Sequence, residues 1–354
     1  VWRPRRTARR MDLVVGFRPP VDGRLGGHLG GTGRERTGRF ELTGAKANLT
    51  AERGSVAGET LGDVTVTADT NGNEMTVQAT GNVRESKIQA NGKWRLQGDA
   101  PGDAVVKFSR VSLASVQDLV MLGRTENRPG EPPFEGFVEG GATVTIALRK
   151  PEAFRAKVTL DAIQINTRPG QALPLNIQQQ DVILKNSQPV EIDVTNDRAR
   201  LSPAQFTGRE TNVTAEGVLP FRGPAGADFS LMGNINLIIL QLINPELVAK
   251  GEANLQVSVR GNLKDPNVNS RLQLSKASLS YGDLPYAADN AQGSIVFDRN
   301  RATIEKLTAE ANGGTVNFTG SVDFGAAISS GTSLRYRVQA EARGVNVRSP
   351  RPHA

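Results

Sequence analysis

Few side chains in this sequence are of the types that catalyse reactions or bind metal ions. Cysteine is absent, and the two histidines, His28 and His353, each lie near one end of the chain in polar, Gly- or Pro-rich sequence. The absence of cysteine excludes disulfides, thiolate metal sites and cysteine nucleophiles together. Both histidines have the surroundings of exposed loop residues, and we do not expect either to bind a metal.

The acidic residues form no pair suited to acid–base catalysis. Glu191 and Asp193 alternate with apolar residues, which is typical of the solvated face of a strand. Asp99 and Asp103 surround a Pro-Gly and are better explained as turn residues than as calcium ligands. The glycine-rich run 26–31 lacks the preceding strand and following helix that a phosphate-binding loop requires. We therefore predict that the chain is not an enzyme and takes no cofactor.

Positive charge is concentrated at the start of the chain. The net charge is +7, and five arginines lie between residues 3 and 10. The apolar run Leu13–Phe17 is too short for the core of a signal peptide, so we interpret residues 1–39 as the ragged, disordered start of a fragment. A nucleic-acid-binding arm is the alternative, but it lacks interleaved aromatic residues and a binding fold, and we predict no nucleic acid partner.

The rest of the sequence is dominated by a period of two. Apolar and polar residues alternate between residues 253 and 259, and the pattern returns from Val316 to Phe324. This period indicates strands with one apolar and one solvated face. Turn signals separate the strands, and among them Asn71-Gly72-Asn73 predicts a hairpin.

The strand pattern repeats at a spacing of roughly a hundred residues. Segment 198–221 matches segment 301–324 at an offset of 103 (301 − 198), and Ala142–Arg149 matches Ala253–Arg260 at an offset of 111 (253 − 142). These matches predict a first β segment over 40–141, two related repeats over 142–250 and 251–347, and a short truncated tail over 348–354.

Two apolar segments have helical spacing instead. They are Leu113–Leu122 and Ile235–Leu247, and each precedes a Gly-rich strand start. We interpret both as short helices that cap or plug one edge of the sheet, because apolar segments of ~10–14 residues are more often buried in protein than inserted in lipid. A membrane-touching or groove-plugging role is the alternative.

Two short helices cannot cover so many strands, so the sheet must bury its own apolar face. We predict a mainly β protein, an elongated repeat sheet curled into a trough, because an open sheet of about twenty strands would curl or split. Many inward positions carry Ala, Gly or Val, and such small side chains leave room inside. A hydrophobic interior of this kind would accept acyl chains.

The segment from Gly251 to Phe324 resembles the AsmA-like repeat of the TamB family. The resemblance is close over residues 250–324 and general over 40–347. It rests on these residues in this order: Gly251, Val257, Val259, Gly261, Asp265, Pro266, Leu272, Leu274, Ala277, Leu279, Asn290, Gly293, Ile295, Phe297, Arg301, Ile304, Leu307, Ala309, Gly313, Gly314 and Gly320. The upstream repeat departs from this pattern, since Glu210 and Thr211 stand where the paired glycines do.

The resemblance implies a periplasmic β-trough, tethered to the inner membrane through an N-terminal anchor that this chain lacks. It implies a non-catalytic segment that carries phospholipid along a hydrophobic β-groove between the inner and outer membranes, or that assists outer-membrane protein assembly and secretion. The implied partners are phospholipid acyl chains and an outer-membrane β-barrel of the Omp85 type.

We assign the groove lining to apolar residues that fall on one side of the predicted strands. They are Val144, Ile146, Leu148, Val158, Leu160, Leu255, Val257, Val259, Leu272, Leu274, Val316, Phe318, Val322 and Phe324. The alternative is a closed structural or adhesive β-repeat protein, whose apolar faces pack on each other and bind no lipid.

Overall fold

The structure is a computed structural model. It describes residues 21–36, 39–56, 59–83, 86–120, 134–168, 182–221, 226–242, 247–262, 267–281, 288–323 and 335–346.

This part of the chain consists of nineteen strands and two short helices. The strands are β1 (Val21–Arg36), β2 (Arg39–Val56), β3 (Glu59–Asn71), β4 (Glu74–Val83), β5 (Ser86–Arg95), β6 (Pro101–Ser112), β7 (Phe134–Ala147), β8 (Lys150–Thr167), β9 (Ile183–Asn186), β10 (Val190–Thr195), β11 (Arg198–Gly208), β12 (Thr211–Pro220), β13 (Ala227–Asn236), β14 (Leu247–Gly261), β15 (Asn267–Tyr281), β16 (Ala288–Asp298), β17 (Arg301–Ala311), β18 (Gly314–Asp323) and β19 (Arg335–Arg343). The helices are α1 (Leu113–Val120) and a 3-10 helix (Leu237–Leu242).

The strands belong to one antiparallel sheet in which successive strands pair, apart from β9 and β10. β9 and β10 both pair with β8, where 183–185 lie opposite 164–166 and 190–195 lie opposite 155–160. These two strands therefore lie end to end and act as a single interrupted strand. The prediction of a mainly β protein is confirmed.

The turn chemistry of the sequence appears where it was expected. β3 and β4 form a hairpin in which Asn71 lies opposite Glu74. Gly72 closes its turn with a φ of 61°, in the left-handed region that glycine tolerates best. The hairpin predicted from Asn71-Gly72-Asn73 is confirmed.

Three sequence-based expectations need correction. β1 begins at Val21, inside the segment that we expected to be disordered. His28 is exposed as expected, but it lies in this strand and not in a loop. Asp103 lies in β6, where its carboxylate accepts a hydrogen bond of 2.6 Å from the Thr145 hydroxyl, whereas Asp99 lies in a turn as predicted.

The chain divides into two compact units. The first comprises Val1–Glu131, Gly136–Ile163 and Pro189–Ala199, and the second comprises Pro132–Glu135, Gln164–Gln188 and Arg200–Ala354. In the first unit, Met75, Trp94 and Leu96 form a buried cluster. The second unit has a larger cluster around Ile235 and Leu237, to which five buried alanines contribute: Ala249, Ala253, Ala277, Ala291 and Ala309.

Two hairpins have matching bounds at the offset seen in the sequence. The first and the last residue of β17 each lie 103 residues after those of β11 (301 − 198 and 311 − 208). The same holds for β18 and β12 (314 − 211 and 323 − 220). The sequence match over 198–221 and 301–324 therefore coincides with two hairpins of equal strand and turn length.

The two predicted helices are present, each directly after a strand. α1 begins at Leu113, and Ser112 caps its first turn by accepting a hydrogen bond of 3.1 Å from the Ser115 amide. The second helix is shorter than the predicted Ile235–Leu247, because Ile235 and Asn236 still belong to β13 and Leu247 begins β14.

Candidate functional site

The apolar face of the second unit is the strongest candidate for a functional surface. Residues directly opposite each other on neighbouring strands share a face of the sheet, so the pairing register traces rows of side chains across it. One row crosses eight strands without a polar side chain: Val213, Gly233, Leu255, Leu272, Ile295, Ile304, Gly320 and Val338. The alternation in the sequence thus becomes a continuous apolar band.

Two further rows flank this band. The first consists of Ala215, Leu231, Val257, Ser270, Phe297, Ala302, Val322 and Tyr336. The second consists of Ile235, Ala253, Leu274, Gly293, Leu307, Phe318 and Ala340. Among the side chains that the structure describes, Ser270 alone interrupts these two rows, so the apolar surface is several residues wide.

Burial differs between the two ends of this face. Along β13 the exposed fraction rises from 6% at Ile235 to 36% at Phe229. On the next strand, Ala253 is buried while Val257 and Val259 are half-buried. Solvent therefore reaches large apolar side chains at one end of the strands. In a closed hydrophobic core these side chains would be buried.

The 3-10 helix covers the other end of this face. Ile239 and Leu240 pack against the cluster that contains Ile235 and the buried alanines. Ile238 and Ile239 also pack against a second cluster formed by Val182 and Leu184. Because Ile239 contacts both clusters, the segment shields part of the apolar surface of each.

A group of hydrogen bonds fixes the start of this helix. The Asn236 amide donates to Thr211 Oγ1 over 3.0 Å, and the Asn236 side-chain nitrogen donates to Glu210 Oε2 over 2.6 Å. Asn236 Oδ1 in turn accepts from the Ile238 amide over 3.0 Å. Asn236 and Thr211 are both buried, and an unpaired polar group in a buried position would destabilise the fold. The hydrogen bond between them avoids this loss.

The structure brings together most of the lining residues predicted in the second unit. Leu255, Leu272, Leu274 and Phe318 pack against one cluster. Val316 is buried and lies opposite Ala309, which belongs to that cluster. The remaining residues share the same face by register: Val257, Val259 and Val322. Phe324 lies outside the described residues.

The lining residues predicted in the first unit lie on β7 and β8 or in the turn between them. Ile146 packs against the cluster of Met75, Trp94 and Leu96. Val144 lies opposite Ala104, while Val158 and Leu160 lie opposite Ile192 and Val190. Leu148 packs against the same cluster as Ile146, but it lies in the turn after β7 and not in a strand.

Trp94 fills the space that two glycines leave in the first unit. A Cβ added at Gly92 would overlap the far edge of the indole ring, and one added at Gly102 would overlap its Cγ and Cδ1. The indole N–H donates to the Ile146 carbonyl over 3.2 Å. The expectation that small side chains leave room inside is therefore wrong at Gly92, where the glycine seats an aromatic ring.

The opposite face of the sheet is polar and carries exposed ion pairs. Lys157 pairs with Glu191 at 2.9 Å, which confirms that Glu191 belongs to a solvated face. The hydrogen bond from Arg271 lowers the pKa of Glu305, and a second one from Ser294 acts in the same direction. The hydrogen bond to Asp99, together with the attraction of its charge, raises the pKa of Lys150.

Two concave regions lie on this polar face in the first unit, and both are open. One, of about 550 Å³, includes Val105 and Lys107; the other, of about 970 Å³, includes Arg155 and Asp193. Neither coincides with the apolar face. Among the described residues, no group of three or more His, Cys, Asp or Glu side chains is placed to hold a metal ion. Within the same residues, no helix combines the length and hydropathy needed to cross a membrane.

Comparison with known proteins gives no family assignment. No family model matches the sequence, and no solved structure matches the chain. The interpretation of the site therefore depends on its geometry and on the residues themselves.

Sequence reasoning missed several residues of this face. Leu231 and Leu307 pack against the main cluster, but neither was assigned to the lining. At Leu307 the alternation with Lys306 and Thr308 was a sufficient signal, whereas Met232 follows Leu231 and interrupts the alternation there. The covering role of Ile239 had a weaker signal, since the run Leu237–Leu240 indicates an apolar segment without showing which surface it contacts.

Proposed function

We propose that this chain carries phospholipid along a hydrophobic β-groove, as a non-catalytic segment of a TamB-like periplasmic protein. The supporting observation is the apolar band of the second unit, a row of residues that crosses eight strands, contains no polar side chain and is partly open to solvent. We propose that the sheet curls along this band into a trough with the apolar face inside.

The mechanism is passive. Acyl chains lie along the rows, perpendicular to the strands, while the headgroups remain in water at the opening. Each buried methylene contributes ~0.8 kcal/mol, so a lipid is held firmly. Because successive positions of a row offer similar apolar surfaces, a chain can move from one to the next without losing all of its contacts.

Two exposed residues on β13 provide a matched test of the apolar face. Phe229 faces the band and Met232 faces the polar side, opposite Gln256, and both are exposed, at 36% and 52%. Phe229→Asp should reduce bound phospholipid about tenfold, because an acyl chain next to the carboxylate loses the burial of roughly two methylene groups. Met232→Asp introduces the same charge on the other face and should leave lipid binding unchanged.

The measurement is native mass spectrometry of the purified chain, with lipid extraction of the same sample. Val257→Asp, deeper on the same face, provides a second test once circular dichroism shows that the variant folds. Equal lipid content in the Phe229 and Met232 variants would contradict the assignment of the binding face. A folded wild-type chain without any lipid would contradict the proposed function.

A closed structural or adhesive β-repeat protein is the second candidate, and Trp94 is the observation that favours it. The indole ring fills the space above Gly92 and Gly102 instead of leaving it open. In that case the apolar faces pack on each other, and neither Asp variant would change lipid content because none is bound.

The location and partners follow from the same proposal. A groove that carries phospholipid between two membranes would operate in the periplasm, held at the inner membrane by an N-terminal anchor. The resemblance in the sequence supports an outer-membrane β-barrel of the Omp85 type as the protein partner, and through it a role in outer-membrane protein assembly and secretion. Co-purification with such a barrel tests this partner.

A further inference from the structure

We propose that the 3-10 helix Leu237–Leu242 is a displaceable plug that occupies the acyl-chain site until lipid enters. The inference rests on the proposed function and adds a means of regulation to it. It follows from three features of the described residues: where the segment packs, how it is attached, and what lies beneath it.

The plug covers the most buried part of the apolar face. Leu237 is 2% exposed, and Ile239 and Leu240 pack against the cluster that contains Ala253 and Ala277. Through Ile238 and Ile239 the segment also reaches Val182 and Leu184. It thus contacts both apolar clusters of the second unit.

The cluster that the plug packs against is rich in small residues. Ala249, Ala253, Ala277, Ala291 and Ala309 are each 2–5% exposed, although an alanine methyl group covers little area by itself. The side chains of the plug fill the volume above the alanines that lie beneath it. An acyl chain is also slender and apolar, so it fits the same volume once the plug has left.

Besides its apolar contacts, the plug has a polar attachment that is local. At its start, Asn236 is held by Thr211 and Glu210, and it caps the segment through the Ile238 amide. Hydrogen bonds of this kind can open without unfolding the sheet, since β13 and β14 keep their own pairing from Ala227 to Asn236. Lipid and plug therefore compete for one apolar surface, and the Glu210–Thr211–Asn236 group sets the balance between them.

Hydrogen exchange of the wild-type chain tests the competition directly. The purified protein is incubated with vesicles of phosphatidylethanolamine and phosphatidylglycerol, and lipid-loaded and lipid-free chains are compared. The amides of Asn236 and Ile238 should exchange faster in the loaded chain, because both of their hydrogen bonds open when the plug leaves. Unchanged protection at these two amides with lipid bound would overturn the proposal.

A matched pair of Thr→Val variants tests the attachment. Thr211→Val removes the acceptor for the Asn236 amide and should raise the uptake rate of a fluorescent phosphatidylethanolamine from the same vesicles about fivefold, since a larger fraction of chains is competent to bind. The control is Thr308→Val, which removes a 2.8 Å hydrogen bond to Asn317 on the polar face and should leave uptake unchanged.

The outcomes separate the two proposals. Equal uptake by wild type, Thr211→Val and Thr308→Val would overturn the plug and leave lipid carriage standing. Absence of lipid from the wild type and from both folded variants would overturn lipid carriage, and the plug with it. If Thr211→Val does not fold, the exchange experiment on the wild-type chain still decides.

Discussion

The indole of Trp94 depends on the absence of side chains at Gly92 and Gly102. Gly92→Ala places a Cβ against both the ring and Ala104 Cβ, which lies 3.1 Å away. Overpacking of this kind costs about 1–3 kcal/mol of unfolding free energy. The measurement is urea unfolding followed by tryptophan fluorescence, in a Trp2→Phe background so that Trp94 is the only reporter.

Gly30 is the control for this substitution. A Cβ at Gly30 would meet only the Lys46 carbonyl oxygen, at an ordinary distance of 3.7 Å. Gly30→Ala should therefore leave the unfolding midpoint nearly unchanged. If Gly92→Ala behaves like Gly30→Ala, the indole does not rest on Gly92.

A second prediction at this scale concerns the exposed carboxylate of Glu305. Arg271 Nη1 donates to Glu305 Oε2 over 2.9 Å and also to Ser294 Oγ over 3.1 Å, so one guanidinium joins three strands. The pKa of Glu305 is lowered, chiefly by the hydrogen bond from Arg271. A lowered pKa means stabilisation that is present above the ordinary glutamate pKa and lost as the pH falls through the folded value.

Arg271→Gln should therefore destabilise the chain slightly at neutral pH and not at a pH well below the ordinary glutamate value. The pair is exposed, so the effect is small and weakens with added salt. Urea unfolding of both proteins at the two pH values measures it. An equal difference at both pH values would show that Arg271 stabilises the sheet through packing and not through charge.

At the scale of the secondary-structure elements, the hairpin of β3 and β4 allows the effect of turn geometry on stability to be measured separately. Gly72 has a φ of 61°, and a Cβ there would meet nothing within 4 Å. Gly72→Ala should cost roughly 1 kcal/mol, from backbone conformation alone. Gly72→Asn should cost less, because asparagine enters the left-handed region more readily.

The two variants are compared by urea unfolding against the wild type. Equal losses for Ala and Asn would contradict a purely conformational origin and would indicate that the turn packs on a neighbour. The same experiment checks the turn prediction, since it asks whether the glycine of Asn71-Gly72-Asn73 is required for its φ.

The features that could be predicted from the sequence are those encoded by a local residue pattern. The period of two between residues 253 and 259 is repeated by the alternating burial along β14, and α1 begins at the predicted Leu113. The contacts of Ile239 and the seat of Trp94 could not be predicted. Ile239 contacts residues far from it in the chain, such as Val182 and Leu184. Trp94 is seated by Gly92 and Gly102, and glycines carry no apolar pattern from which a contact could be predicted.

β1 shows a second limit of local pattern. Its glycines and charged residues predicted disorder, yet Val21–Arg36 pairs with Arg39–Val56 over most of its length. Backbone hydrogen bonds to a neighbouring strand can hold such a segment, because glycine still supplies both a donor and an acceptor. Composition therefore misjudged where the sheet begins.

On the scale of the whole molecule, a sheet in which successive strands pair makes its contacts mainly between elements that are neighbours in the chain. In such arrays stability is approximately the sum of contributions from each strand and from the contacts between adjacent strands. A destabilising substitution therefore affects only the strands near it. Trp94→Ala should cost about 3–5 kcal/mol, because it removes the largest side chain of the cluster with Met75 and Leu96. The loss should stay within the first unit.

Hydrogen exchange measured by mass spectrometry shows which strands lose stability in the Trp94→Ala variant. Faster exchange is expected in β4, β5 and β6, whose residues pair directly around Trp94, and unchanged exchange in β15 to β18 of the second unit. Leu274→Ala, within the cluster of the second unit, is the reciprocal variant and should reverse the pattern. Uniform acceleration along the chain in either variant would show that the two units unfold as one cooperative body, and a repeat-like sum of local terms would then be wrong.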